Sequence, residues 1–114
     1  MGIGGQVFNI DDEPVIGLVV EVGGMLEDND VVFLNLTGSS PKLGPGGFVI
    51  TLADHVTASQ GTLWLQMFDL SGTSQSSKLY FDTYEDCDRN LILINFQETV
   101  SPPVYRISIP LVYK

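Results

Sequence analysis

Fourteen Asp and Glu side chains against five Lys and Arg dominate the chemistry available to this 114-residue chain, and they are clustered. Glu27, Asp28 and Asp30 form one group, and Glu85, Asp86 and Asp88 form another. Calcium takes about six to eight oxygen ligands from carboxylates, carbonyls and water. The two groups brought together, with Asn29 or backbone carbonyls completing the shell, would make a calcium site. No EF-hand loop or RTX-type repeat accompanies them, and acidic loops commonly serve only as solvated, solubility-giving turns.

The second chemistry is aromatic. Trp64, Tyr80 and Tyr84, with Phe68 beside them, would offer rings on which a sugar could stack if they face outward. The competing reading packs the same rings beneath a covering segment, which the general bias of large apolar groups toward burial favours.

Nucleophilic catalysis needs a Ser or Cys, a base and an orienting carboxylate within hydrogen-bond reach. His55 is the only histidine, and no G-x-S-x-G elbow occurs. Cys87, the only cysteine, stands between Asp86 and Asp88, which disfavour a thiolate, so it reads as inert. One histidine and one cysteine do not make a structural zinc site, and Gly44-Pro45-Gly46-Gly47 lacks the lysine and helix of a phosphate loop. The sequence therefore predicts no enzyme and no cofactor apart from the calcium candidate.

These groups can act only where strands place them. Apolar residues recur at period two or in short runs, punctuated by Gly, Pro, Asn, Asp and Ser, and no helical period appears. Strands are predicted near 6–10, 16–22, 31–37, 48–52, 62–68, 78–84 and 91–97, with a further extended segment over 104–113. Leu18, Val20 and Val22 share one face, as do Leu63, Leu65 and Met67, and these should turn to the core. The run Leu91 to Phe96 is apolar on both sides, which suggests a central strand or one covered by the tail. Ser101-Pro102-Pro103 makes a stiff extended linker, and Pro110 places the last strand at an edge.

Reversing strands put alternate loops at the same end of such a sandwich. The loops with Glu27, Asp28 and Asp30, with Asp54, and with Glu85, Asp86 and Asp88 should share one end. Those with Asp11, Asp12 and Glu13 and with Asp69 should share the other.

The whole chain sets outer bounds. Its length suits one domain, and 44% apolar with 17% charged residues argues for a packed globule rather than disorder. A net charge of -9 repels phosphate backbones, and the scattered basic residues give no patch for anionic lipid. Nucleic acid and membrane insertion are not expected. No run approaches the roughly 20 apolar residues that cross a bilayer, and the start lacks the basic and apolar regions of a signal peptide.

Gly5-Gln6-Val7, Glu13-Pro14-Val15, Gly17, Val20 and Val22 together resemble the opening of carboxypeptidase regulatory-like domains, and Gly46-Gly47-Phe48-Val49 is similar to the family's glycine-led approach to a later strand. The resemblance implies an Ig-like, transthyretin-like antiparallel β-sandwich. It also implies an accessory or surface module of secreted bacterial proteins, without catalytic residues of its own. Tyr105 to Val112 is similar to C-terminal segments of some secreted surface proteins, which points to an extracellular or cell-surface setting. The related collagen-binding pilin modules crosslink a first-strand lysine to an asparagine. Asn95 could supply the asparagine, but no lysine precedes Lys42, so no such crosslink is expected.

The expectation is thus an all-β sandwich of about seven strands over residues 1–98, with a Pro-led tail over 99–114 forming an edge strand on this domain or on a neighbour. A dimer through that tail follows from the second arrangement. The expected function is non-catalytic: spacing, adhesion or binding of a protein partner. A carbohydrate-binding or calcium-stabilised lectin-like module, taking a polysaccharide, is the alternative.

Overall fold

Two β-sheets packed face to face make an all-β sandwich. The computed structural model describes residues 1–87, 90–98, 105–107 and 112–113, the last two stretches as backbone. The strands are β1 (Gly2–Phe8), β2 (Val19–Leu26), β3 (Asn29–Leu36), β4 (Gly47–Thr51), β5 (Ser59–Phe68), β6 (Leu79–Thr83), β7 (Leu91–Leu93), β8 (Phe96–Glu98), β9 (Tyr105–Ile107) and β10 (Val112–Tyr113), with a 3-10 turn at Pro41–Leu43. No helix among the described residues is long and apolar enough to cross a membrane.

One sheet runs β3-β2-β5-β6 and is antiparallel throughout. The other is mixed. Its centre, β1, pairs antiparallel with β4 and parallel with β7 and β8, and β9 and β10 pair antiparallel with β8 and β7. β7 and β8 hold the same register offset along β1, Gly2 facing Leu91 and Val7 facing Phe96, so they are two pieces of one line. At the break between them the Gln6 N–H donates to the Asn95 side-chain oxygen, 3.0 Å away, instead of to a backbone carbonyl.

The predicted alternation carries the core. Val20 and Val22 from β2, Leu63, Leu65 and Met67 from β5, and Phe81 from β6 meet Ile3, Val7, Phe48, Ile50, Ile92, Ile94 and Phe96 from the other sheet, all buried. Leu18 packs against this cluster from the edge. The run Leu91 to Phe96 is central, flanked by β1 and by the described backbone of the tail. Gly17 does not serve a close approach: a Cβ there would meet nothing, and its φ of 92° is what calls for glycine.

Two five-residue turns are built alike. Asn9 Oδ1 accepts the N–H groups of Asp11 and Glu13, and Asp69 Oδ1 accepts those of Ser71 and Thr73. In each, the first residue's N–H donates to the carbonyl of the fifth, and a single bridge closes the base, Phe8 to Pro14 and Phe68 to Ser74. The fourth residue has positive φ, 63° at Asp12 and 89° at Gly72.

Asp88, Ser101-Pro102-Pro103 and Pro110 lie outside the described residues, as does the 98/99 domain boundary on its tail side.

Candidate functional site

The outer face of the four-stranded sheet is built by the residues that alternate with the core set. Register lines them up in rows across the strands: Leu36, Val19 and Phe68; Leu34, Glu21 and Gln66; Val32, Gly23, Trp64 and Tyr80. Leu34 is 64% and Val32 67% exposed, against the few percent of the core, and Tyr80 is 56% exposed. The described tail strands belong to the other sheet, so they do not supply the cover that sequence reasoning offered for Trp64. The result is a broad apolar surface with a few polar groups set into it, Glu21, Gln66 and Asp82. An open groove of about 380 Å³ runs along its β3 side between Val19, Leu34, Asn35 and Leu36.

Trp64 is half-buried, neither core nor bare platform. It reclines on β2 where Gly23 has no side chain, and Lys78 Nζ stands 4.4 Å from its ring centroid. A cation over an indole face is attracted by the ring quadrupole, so Lys78 orients the ring as well as shading it. Tyr80 pairs directly across from Trp64. Tyr84 lies beyond the end of β6 and is half-buried, about 13 Å along the strand from Tyr80 at the usual rise per residue.

The carboxylates fall elsewhere, at the loop ends. Glu27 and Asp28 form the two-residue turn between β2 and β3, with φ of 52° and 63°, the left-handed pair that a type I′ hairpin demands. Asp30, the second residue of β3, stands opposite Met25. Glu27 and Asp54, expected at the same end, do meet there through His55: Nε2 lies 2.5 Å from Glu27 Oε1 and Nδ1 2.6 Å from Asp54 Oδ1. The hydrogen bond to Asp54, then that to Glu27, raises the histidine above its ordinary value, while the same contact lowers Asp54. Both ring nitrogens are thus committed to carboxylates, which leaves neither for a serine or cysteine.

Glu85, Asp86 and Cys87 are exposed beyond β6, and Asp88 lies outside the described residues. Among the described residues, no group of three or more His, Cys, Asp or Glu side chains is arranged so that it could hold a metal ion. At the Asp69 turn the hydroxyl of Ser71 and the N–H of Thr73 hold the carboxyl below the usual range, so this acid serves its own loop.

Sequence reasoning singled out Trp64 and Tyr80 as outward rings and did not consider the aliphatic residues that share their face. Val32, Leu34 and Leu36 were legible as the alternate residues of their strand, yet the strand has apolar residues on both sides, and the alternation cannot say which side is covered.

No family model matches the chain, and a search of curated proteins found no match. A search of solved structures found a likeness to the dioxygenase domain of a dioxygenase carbohydrate-binding protein fusion from the cellulolytic bacterium Streptomyces sp. SirexAA-E, at 13% identity and a TM-score of 0.39, covering 93% of this chain and 73% of that one. A likeness of that degree carries no activity across.

Proposed function

We propose that this chain is a non-catalytic binding module, of the accessory or surface kind, whose working surface is the outer face of the β3-β2-β5-β6 sheet. One observation carries the reading: Val32, Leu34 and Leu36 stand exposed along β3 and Tyr80 on β6 at the far edge of the same face, with half-buried Val19, Phe68 and Trp64 between them, uncovered by any described segment. Contiguous exposed apolar patches are uncommon on monomers and mark contact surfaces. The commitment of both His55 nitrogens to carboxylates supports the non-catalytic part. The resemblance of residues 5 to 22 to carboxypeptidase regulatory-like domains supports an extracellular or cell-surface setting.

A second reading has its own observation. Trp64 and Tyr80 are cross-strand neighbours with Gln66 and Asp82 alongside, a stacking surface flanked by hydrogen-bonding groups that suits a polysaccharide.

Immobilised proteins and polysaccharides, screened with the wild type and with Leu34→Lys, Trp64→Ala and Tyr80→Ala variants, test both. Protein capture lost in Leu34→Lys supports the first reading, and polysaccharide capture lost in Trp64→Ala and Tyr80→Ala supports the second. Capture unaffected by all three variants, or turnover of a panel member abolished by His55→Ala, overturns the proposal.

A further inference from the structure

We propose that the free edge of β3 is a self-association site, at which a second copy of this chain adds its own β3 in antiparallel register about Val32. This goes beyond the binding face, since it rests on the backbone edge and on the residues at the rim of the core.

The hairpin fixes which backbone groups are free. Leu26 and Asn29 close a two-residue turn and so form a hydrogen-bonded pair, and bonding alternates from there along an antiparallel ladder. Asn29, Val31, Phe33 and Asn35 therefore bond β2. Asp30, Val32, Leu34 and Leu36 direct their N–H and C=O groups away from it. The far end is already closed: Leu36 N–H donates to the Asn35 side chain, the Leu36 carbonyl accepts from Ser39, and Asn35 Nδ2 donates to the Val49 carbonyl on β4. Among the described residues, nothing takes up the open groups at Asp30, Val32 and Leu34.

Those three residues select the register. An antiparallel pair centred on Val32 sets Asp30 against Leu34 of the second copy, Val32 against its own counterpart, and Leu34 against Asp30 of the second copy. Each pair exchanges both of its bonds, about six in all. Moving the centre to Phe33 would bring in Leu36, whose groups are taken.

Side chains agree with the backbone. Val31 and Phe33 point toward the core and pack against it, yet stay only partly buried at the rim of the sheet, where β4 of the other sheet reaches the far end of β3 through Asn35. Val32 and Leu34 stand exposed on the other face. A strand that fits here must be apolar on both faces over the same short span, and β3 is itself such a strand.

Charge permits the arrangement. Asp30 is the only charged residue in β3 and faces a leucine, and the two Asp30 side chains end up roughly 13 Å apart along the strands, beyond a Debye length of about 10 Å. Natural edges are usually blunted by bulges, Pro or charge. The opposite edge of this sheet carries such a device: β6 pairs with β5 across a register shift, and Asp82 binds the Gly61 N–H. β3 pairs with β2 over eight successive residues without a break.

Sedimentation and light scattering across protein concentration, at low and high salt, test the proposal. A dimer is expected, strengthened by salt because each copy carries a net charge of -9. The Val32 N–H bonds nothing in β2, so Val32→Pro leaves the ladder whole and removes a donor needed only by the second copy. Val32→Pro and Leu34→Lys are expected to be monomeric with near-wild-type melting. Leu34→Lys alone suffices if the proline variant does not fold. In the wild type the amide hydrogens of Asp30, Val32 and Leu34 should become at least tenfold slower to exchange as concentration rises. A wild type that stays monomeric at millimolar concentration, or a dimer that both variants leave intact, overturns the proposal.

Discussion

A Cβ on Gly23 would stand 2.5 Å from Cζ2 of Trp64, so the indole rests on β2 at a point that only a glycine leaves open. Gly23→Val must therefore lift the ring from the sheet. The strain is relieved at the surface, so the loss of stability should stay below about 2 kcal/mol. Tryptophan emission should shift to longer wavelength, and Lys78→Ala should then have less effect on it than in the wild type. Unchanged emission in Gly23→Val would show that the ring is not seated there.

Asn9 and Asp69 occupy equivalent positions in the two like turns, one as an amide and one as a carboxylate. An amide oxygen is thus sufficient for the turn. Asp69→Asn should melt close to the wild type at neutral pH, whereas Asp69→Ala, which leaves the Ser71 and Thr73 N–H groups without this acceptor, should melt several degrees lower. Because the folded Asp69 is held below its ordinary value, its contribution is present above about pH 4 and lost as pH falls through the folded value. Thermal scans from pH 7 to pH 2 should show that loss in the wild type and not in Asp69→Asn.

His55 titrates in the opposite sense. Its value is raised by Asp54 and Glu27, so its contribution is complete below the ordinary histidine range and disappears as pH rises through the folded value. Asp54 is lowered, so its share is lost only in acid. The expected stability difference between wild type and His55→Gln is therefore widest between about pH 4 and pH 6.5, and it should be small, since exposed ion pairs are weak. NMR titration of the imidazole checks this directly: a histidine at or below its ordinary value would show that the two contacts do not persist in solution.

The β2–β3 turn carries a cost that can be removed. Asp28 has φ of 63°, a conformation that disfavours residues with a Cβ and suits glycine. Asp28→Gly should stabilise by about 0.5–1 kcal/mol after the greater freedom of glycine in the unfolded chain is counted. Denaturant melts decide it, and a destabilised variant would mean that the Asp28 side chain does more than close the hairpin.

Much of this architecture was legible before any coordinates. Leu63, Leu65 and Met67 alternate with Trp64, Gln66 and Phe68, and the burial follows that alternation because a pleated strand allows nothing else. β1 was less legible. Its first half, Gly2-Ile3-Gly4-Gly5, is poor in strand-forming side chains, and it is a strand because two neighbours close on it. Glycine at position 5 is what lets Ile94 approach: a Cβ there would overlap its carbonyl oxygen. Parallel pairing between residues so far apart leaves no local trace. The likeness of the two turns leaves a partial one: Phe8-Asn9-Ile10 and Phe68-Asp69-Leu70 match in type, while the last three residues of each turn differ in charge and size. The hairpin role of Glu27 and Asp28 was hidden for another reason, since Glu27 is not a usual occupant of a left-handed position and no glycine follows it.

The parallel contact of β1 with β7 and β8 also sets an order of events. β1 must wait for residues 91–98 before its second edge is filled, while β2 and β3 need only two residues between them to meet. Closing a loop of about 90 residues is the slower step. Pulsed hydrogen exchange during refolding should protect Val20 and Val22 before Gly2 and Ile94, whose N–H groups donate to the Asn90 and Gly4 carbonyls across the parallel contact. Protection in the reverse order would show that the ends of the chain find each other first. Until they meet, a nascent chain carries a glycine-rich strand with one side bare, and that interval is when this protein is most exposed to misassembly.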